Sequence, residues 1–448
     1  MSTPPFRVGV LSERGMHVPG RSVMPVVTPI AHIGDLYERA TRLGLEQVWV
    51  TLDGMRTLGL PEELRRGEER AAHPFIADAP KELRIFSGDR QNPHRLTAWL
   101  ELEPRGRAAL SVSLPAYYAH ADAAWGLDTE ASTLLTAVHA YAAAVRRPYK
   151  WSARRTGENL LAETSKPRMQ REAVADWPAP ALSTDGDIEL TWMRALTPVE
   201  RERRYLHCYD KNGQYLAACS SVELGLGELT ELAGSSAEPV AFDKKLPGYW
   251  LLPIDGREGW HCTPWVVRAM EQGSAGPITR AYVWRRHGRA LEHWYERLRE
   301  ARTALLAERT PATAAAYQAF KLTYAQVIAS FAGTFRQHGD AAFRPDWMHT
   351  IHAQAAANLS RAMGRMSVAG VEPVAVFKDA VYIVSDESDP ERAMAGSIRL
   401  GTGLSDFKVE AAAIPLDRVL PAFEGANGVG GPAALFRTVR DLTAEREV

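Results

Sequence analysis

The stretch Val371–Ser385, VEPVAVFKDAVYIVS, constrains the fold more than any other part of the chain. Two short apolar runs flank a charged tip, so it reads as a strand, a tight turn and a second strand. Long helical stretches precede it: Ala290–Arg309, rich in Glu, Arg, Leu and Ala with Pro311 beyond its end, then Ala312–Ala332 and His349–Met366. Further strands are predicted at YLHCYD, GYWLLPI and ITRAYVWRR, and WVVRAM starts a short helix. Helices and hairpins mixed in this order predict an α+β domain rather than a doubly wound parallel sheet.

The front of the chain reads differently. Phe6–Asp53 alternates a strand (RVGVL), a helix (DLYERATRLG) and a strand (QVWVTL), an α/β beginning. Pro61–Arg90 is polar and charged and reads as a loop-rich insertion. LTAWLELEPRGRAALSVSLP reads as two strands about the turn Glu103–Gly106, and Glu130–Val145 as an Ala-rich helix. A domain boundary is expected near Arg146–Gly157, giving domains over 1–150 and 151–448. Pro178–Asp187 is a Pro/Ser/Gly linker.

Composition excludes some classes. No run of 18 apolar residues marks a membrane span, and MSTPPFRVGV lacks the pattern of a signal peptide. Cys208, Cys219 and Cys262 are too few and too scattered for a disulfide framework or a zinc site, so a reducing cytoplasm is expected. The formal charge of −1 gives no global case for nucleic-acid binding. Basic clusters at Arg146–Arg155, Arg201–Arg204 and Arg285–Arg289 are either local phosphate grips or solvated faces. His349 and His352 lie one helical turn apart with no third ligand beside them, and Trp284, Trp294 and Trp347 read as core.

Three segments carry candidate chemistry. Asp210 ends an apolar strand, and the chain turns at once through Lys211, Asn212 and Gly213 towards Tyr215. Such a turn can set a carboxylate against a divalent cation with backbone N–H groups facing a triphosphate, but it is also an ordinary turn composition. Asp379 would project from the tip of the 371–385 hairpin, beside Lys378. Lys321, Tyr324 and Ile328 share one face of a helix, where a cation and an aromatic ring could meet a phosphate and a base, or simply cover the core.

In chain order these segments resemble the three motifs of the family B DNA polymerases, of the protein-primed kind. Asp210 matches the metal-binding Asp of D-x-N-S-x-Y-P, and Tyr215 its sugar-discriminating Tyr. Lys321 matches the Lys of K-x-x-x-N-S-x-Y-G, and Asp379 the second Asp of Y-x-D-T-D-S. Lys408, in LSDFKVEAAAIPL, matches a primer-contacting Lys. The likeness covers roughly Arg201–Pro415. Departures are plain: Phe377, Lys378 and Ala380 replace Asp, Thr and Ser of the hairpin motif, Ala325 and Gln326 replace Asn and Ser of the helix motif, and Leu216 stands in place of Pro.

The resemblance implies a palm with an antiparallel sheet and helices, fingers helices at about 290–345 and a reduced thumb, preceded by an RNase H-like domain. In that front domain the family's exonuclease carboxylates are reduced to Glu13 and Asp53, so binding rather than proofreading is expected. It further implies Mg²⁺ or Mn²⁺ on Asp210 and Asp379, with Lys321 neutralising the triphosphate. Asn212, Gly213, Tyr215 and Tyr324 would contact the nucleotide, and Lys378 and Lys408 the DNA. Primer-template DNA and deoxynucleotides would be the partners, and a terminal protein could supply the priming hydroxyl. The alternative from another class is a weak or inactive polymerase-derived protein that binds DNA ends or a replication partner. An unrelated α+β protein with coincidental motif matches is the third.

Overall fold

Short apolar strands punctuated by tight turns build the first 164 residues of the computed structural model, which describes residues 6–63, 73–87, 96–117, 125, 129–166, 172–183, 190–333, 341–424 and 430–447. The parts of the sequence-predicted insertion and linker at 64–72, 88–90 and 184–187 lie outside the described residues. The chain forms two compact units: residues 1–164 with 296–327, and residues 165–295 with 328–448.

The elements of the first 164 residues are β1 (Val8–Ser12), β2 (Gly15–His17), α1 (Ile33–Arg42), β3 (Gln47–Val50), α2 (Leu52–Thr57), α3 (Pro74–Ala77), β4 (Leu83–Phe86), β5 (Trp99–Pro104), β6 (Leu110–Ser113), α4 (Ala131–Val145) and α5 (Ala153–Thr164). β4 lies within Pro61–Arg90, which the sequence alone makes a loop. Its short Leu-Arg-Ile-Phe run is held as a strand by pairing with β5. The sheet runs β2-β1-β3-β6-β5-β4, with β1, β3 and β6 parallel and the other neighbours antiparallel. One face is aliphatic: Leu11, Val48, Val50, Leu100, Leu102 and Val112 pack with Ile33, Leu36 and Tyr37 of α1. The other face carries Trp49 and Trp99, 6.3 Å apart, with Trp125 and Tyr149 at 5.0 and 5.8 Å from Trp49. Alternation along each strand sends successive side chains to opposite faces.

Beyond residue 164 come α6 (Ala179–Leu182), β7 (Thr191–Met193), α7 (Pro198–Arg201), β8 (Tyr205–Lys211), α8 (Gln214–Ala218), β9 (Leu224–Gly225), β10 (Thr230–Ala233), β11 (Gly248–Ile254), β12 (Arg257–Cys262), α9 (Thr263–Gln272), β13 (Arg280–Val283) and β14 (His287–Gly288). Two long helices follow, α10 (Glu292–Ala307) and α11 (Pro311–Ser330). Residues 296–327, most of both, group with the first unit. There Gly157 of α5 meets Thr323 and Val327 so closely that an added Cβ would lie 2.7 and 2.5 Å from them. Tyr141 of α4 hydrogen-bonds Thr323 at 2.8 Å.

The chain ends with α12 (Pro345–Val368), β15 (Pro373–Phe377), β16 (Ala380–Ser385), α13 (Pro390–Ala393), β17 (Phe407–Pro415), α14 (Leu416–Glu424) and α15 (Pro432–Glu447). The Val371–Ser385 hairpin is the β15–β16 pair. α12 begins at Pro345, four residues before the sequence pattern starts it, because Pro is well suited to the first turn of a helix. The second unit holds a five-stranded antiparallel sheet, β17-β8-β16-β15-β7, a four-stranded one, β10-β13-β11-β12, and the β14-β9 pair. α12 packs on one face of the five-stranded sheet through Leu359, Ala362 and Met366 against Tyr209, Val376 and Val381. α14 and α15 cover part of the other, through Val419, Leu435 and Val439 against Leu206, Cys208 and Tyr382. The α+β expectation therefore holds for this unit.

Trp284, Trp294 and Trp347 are buried, as their sequence contexts predict. Trp347 helps to enclose a buried ion pair. Arg344 donates from Nε to Asp346 at 2.8 Å, lies over the rings of Trp347, Trp177 and Trp284 at 4.9–5.9 Å, and bonds the Gly225 carbonyl. Removing one partner of such a pair strands the other charge in the core. Arg344→Met is expected to lower unfolding free energy by about 3–5 kcal/mol in urea titrations.

Candidate active site

β8 lies in the interior of the five-stranded sheet, between β16 and β17, and its last residues carry the site. Asp210 pairs in register with Ala380 of β16 and with Lys408 of β17. The residue before Ala380 is Asp379, at the hairpin tip, and its carbonyl accepts from the Lys211 N–H at 3.1 Å. The two carboxyls therefore meet across adjacent antiparallel strands. Burial, then the charge of Asp210 and a hydrogen bond to it, push the Asp379 carboxyl up to about 7. Lys408 opposes this: its ammonium lies 3.1 Å from Asp210 and 2.7 Å from Glu410. Burial works against that ammonium, but Glu410 and Asp210 outweigh it and hold its pKa above the ordinary value.

The hairpin tip is strained. Phe377 pairs with Ala380, leaving Lys378 and Asp379 as a two-residue turn, and Lys378 takes φ 60°, a region that favours glycine. Its N–H is held by the Leu190 carbonyl at 2.9 Å. Phe377, where the family motif has its first Asp, packs its ring 5.1 Å from Phe436 of α15. An apolar contact thus stands at this position of the hairpin.

The turn after Asp210 is fixed by the segment that leads into β17. Asn212 donates from Nδ2 to the Gly401 carbonyl at 2.8 Å, and its backbone exchanges bonds with Ser405 and Asp406. Its amide is thus engaged in holding the turn. Gly213 takes a left-handed φ of 53° and starts α8, whose Tyr215 ring lies 4.8 Å from that of His352. Lys211 points away from Asp210, as strand alternation requires. Burial, with Arg365 and Arg361 nearby, lowers its pKa to about 8.

Lys321 and Tyr324 lie on α11 in the first unit, whereas Asp210, Asp379 and Lys408 belong to the second. Lys321 sits over the Tyr317 ring at 5.7 Å, and Tyr324 meets Phe320 edge-on at 5.5 Å. The basic clusters engage intramolecular carboxylates: Arg146 with Glu300, Arg147 with Glu163, Arg201 with Glu424, Arg203 with Asp386, Arg286 with Glu172 and Arg289 with Glu292. His349 bonds the Tyr249 hydroxyl at 2.8 Å. Among the described residues, no group of three or more His, Cys, Asp or Glu side chains is arranged to hold a metal. No helix there is long and apolar enough to cross a membrane.

No protein-family model and no curated protein matches this chain. Among solved structures it is similar to phi29 DNA polymerase complexed with primer-template DNA and incoming nucleotides, at 9% identity and a TM-score of 0.49 over 91% of this chain and 85% of that one. It is also similar to phi29 DNA polymerase complexed with single-stranded DNA, at 8% identity and a TM-score of 0.46 over 91% and 85%. The post-translocation binary complex of that polymerase gives 8% and 0.46 over 91% and 84%.

Glu410 and Gln214 belong to the site's surroundings and escaped the sequence reading. Glu410 is legible in hindsight, since it lies two residues from Lys408 on one strand and can share its face. Gln214 is buried at the start of α8 with no partner for Oε1, which local sequence does not signal. In the first unit, Ser12, Glu13, Arg14, His17, Asp53 and Glu130 line a cavity of about 310 Å³ at the C-terminal ends of β1 and β3. There Ser12 Oγ lies 2.8 Å from His17 Nε2, and Asp53 accepts from the Gly54 N–H at 2.8 Å.

Between about 3.8 and about 7 the folded chain keeps a proton on Asp379 that the unfolded chain has released. Stability from this group is therefore lost as pH rises through that window, and the penalty is complete above it. At pH 8 in EDTA, Asp379→Asn is expected to stabilise the protein by about 1 kcal/mol or more, with no gain at pH 4, as read from urea unfolding at the two pH values. Lys378→Gly should relieve the turn and raise stability by about 1 kcal/mol in the same measurement.

Proposed function

We propose that the chain is a template-directed DNA polymerase of family B type, lacking proofreading and open to protein priming, with its nucleotidyl-transfer centre at Asp210 and Asp379. The observation that carries this reading is the like-charge pair itself. Two carboxylates pressed together on adjacent strands, one with its pKa raised by burial and by the other, suit a divalent cation that would relieve their repulsion. Mg²⁺ or Mn²⁺ held there would supply charge stabilisation at the attacking hydroxyl and at the leaving pyrophosphate.

The protein's own groups would divide the remaining work. Lys408, next to Asp210, would hold the primer strand, and Lys378 at the hairpin tip would contact the DNA. Tyr215 would lie under the sugar and exclude a 2′-hydroxyl. The backbone N–H groups following Gly213 would face the triphosphate, with Asn212 keeping the turn in shape. In the first unit, Glu13 shares its cavity with Asp53 and Glu130 but also with Arg14 and the Ser12–His17 bond, a mixed lining that we read as suited to binding rather than cutting.

Two contacts favour the second reading, a polymerase-derived protein that binds DNA ends without turnover. Phe377 spends the third ligand position on Phe436, and Lys408 bonds the very carboxylate that would take a cation.

Primer extension with Mg²⁺ or Mn²⁺ separates the two. Wild-type extension that falls about 10²-fold or more in both Asp210→Ala and Asp379→Ala is expected for the enzyme. No extension on any primed template, together with cation-independent binding to DNA ends, would favour the binder.

A further inference from the structure

The first unit's sheet carries a polar row across a face whose other residues include Trp49, Trp99 and Val10. Val8 pairs with Gln47, Gln47 with Ser111, and Ser111 with Glu101, so these side chains stand in line across β1, β3, β6 and β5. Two residues along, the same face carries Trp49 and Trp99. At the polar row it opens instead into a cavity of about 390 Å³, lined by Phe6, Arg7, Gln47, Glu101, Pro148 and Lys150 among others. This cavity lies at the N-terminal ends of β1, β3 and β6, at the opposite end of the strands from Ser12 and Thr51.

Most of the row is satisfied. Glu101 accepts from Lys150 Nζ at 3.0 Å, from Ser111 Oγ at 3.0 Å and from Trp99 Nε1 at 3.4 Å. Gln47 donates from Nε2 to the Tyr149 carbonyl at 2.9 Å. Gln47 Oε1 is the exception: the residue is 4% exposed, and this oxygen meets no donor. Buried acceptors are rarely left unmet, so an N–H from outside the chain is the natural partner. Lys150, about one-third exposed and with N–H bonds to spare, offers a donor at the same cavity.

We propose that this cavity binds a nucleobase. A base edge presents an N–H beside a carbonyl or ring nitrogen on one rigid plane, which answers a carbonyl acceptor and an ammonium donor together. Phe6, Pro148 and Ala109 supply apolar surface for its faces, and Arg7 is a cation at the rim for the phosphate. The volume falls in the range of small-ligand pockets. The base could come from a free mononucleotide or from a single strand. The inference does not depend on polymerase activity, because every residue it uses lies in the first unit.

The test uses the full chain in EDTA, which silences any binding that needs a cation at Asp210 and Asp379. Equilibrium dialysis with the four deoxynucleoside 5′-monophosphates, and separately with a single-stranded pentanucleotide, reads the two sources. Saturable binding of at least one probe is expected, weakened tenfold or more by Gln47→Leu. Ala109→Trp, at an exposed lining position away from the polar row, should weaken it as much by filling the cavity. Binding of mononucleotides assigns the site to free nucleotides, and binding of the pentanucleotide alone assigns it to a strand. No saturable binding of either probe overturns the proposal, as does binding that both variants leave unchanged. If Gln47→Leu does not fold, Ala109→Trp decides.

Discussion

Two carboxyl groups held side by side by a β-sheet are the constraint on which the second unit's site depends. Asp210 and Asp379 repel each other when both are ionised, and they are brought together because β8 and β16 pair. Those strands are fixed on one face by α12, through Tyr209, Val376 and Val381, and on part of the other by α14 and α15, through Leu206, Cys208 and Tyr382. Apolar packing on both faces of the sheet overcomes a local repulsion at its end. Lys408, delivered by β17 on the other side of β8, offsets part of that repulsion. The electrostatics at this end of the sheet are unfavourable, and the packed scaffold holds the two groups in place.

The same sheet shows what stands where the sequence departs from the motif it resembles. A hairpin with acidic groups at several tip positions would concentrate negative charge. Here one position is Phe377, anchored to Phe436 of α15, and another is Lys378, held at positive φ. The first packs β15 against the last helix. The second places a cation at the tip, beside the one carboxylate that remains there. Together they leave a smaller and less acidic site, built on an antiparallel sheet whose strands keep their register at the carboxylates.

The first unit solves a different problem with the same alternation of strand faces. Its aliphatic face packs on α1 and provides a conventional core. Its aromatic face needs partners for indole and phenol groups, and the row Gln47–Ser111–Glu101 continues that polar demand to the end of the sheet. Glu101 is tolerable there because Lys150, Ser111 and Trp99 converge on it. Gln47 is only half satisfied: its Oε1, like the indole N–H groups of Trp49 and Trp125 beside it, meets no partner within the chain.

The sequence by itself determined the local elements. The Val371–Ser385 hairpin, the strand ending at Asp210, the three long helices and the α/β start are written in apolar periodicity and turn residues. These act over a few residues and survive whatever the rest of the chain does. The short β4 and the early start of α12 were lost, because the first depends on pairing with β5 and the second on a proline at the helix entrance. The side-by-side placement of Asp210 and Asp379 was suggested only by family resemblance, since nothing within either segment states the distance between residues 169 positions apart. Tertiary structure alone decided that Lys408 bonds Asp210, that Phe377 lies on Phe436, that Arg146, Arg201, Arg203 and Arg286 pair with carboxylates far along the chain, and that Gln47 Oε1 is left unmet. Each of these is set by which strands become neighbours and in what register, a long-range choice made by the burial of whole faces rather than by any local pattern.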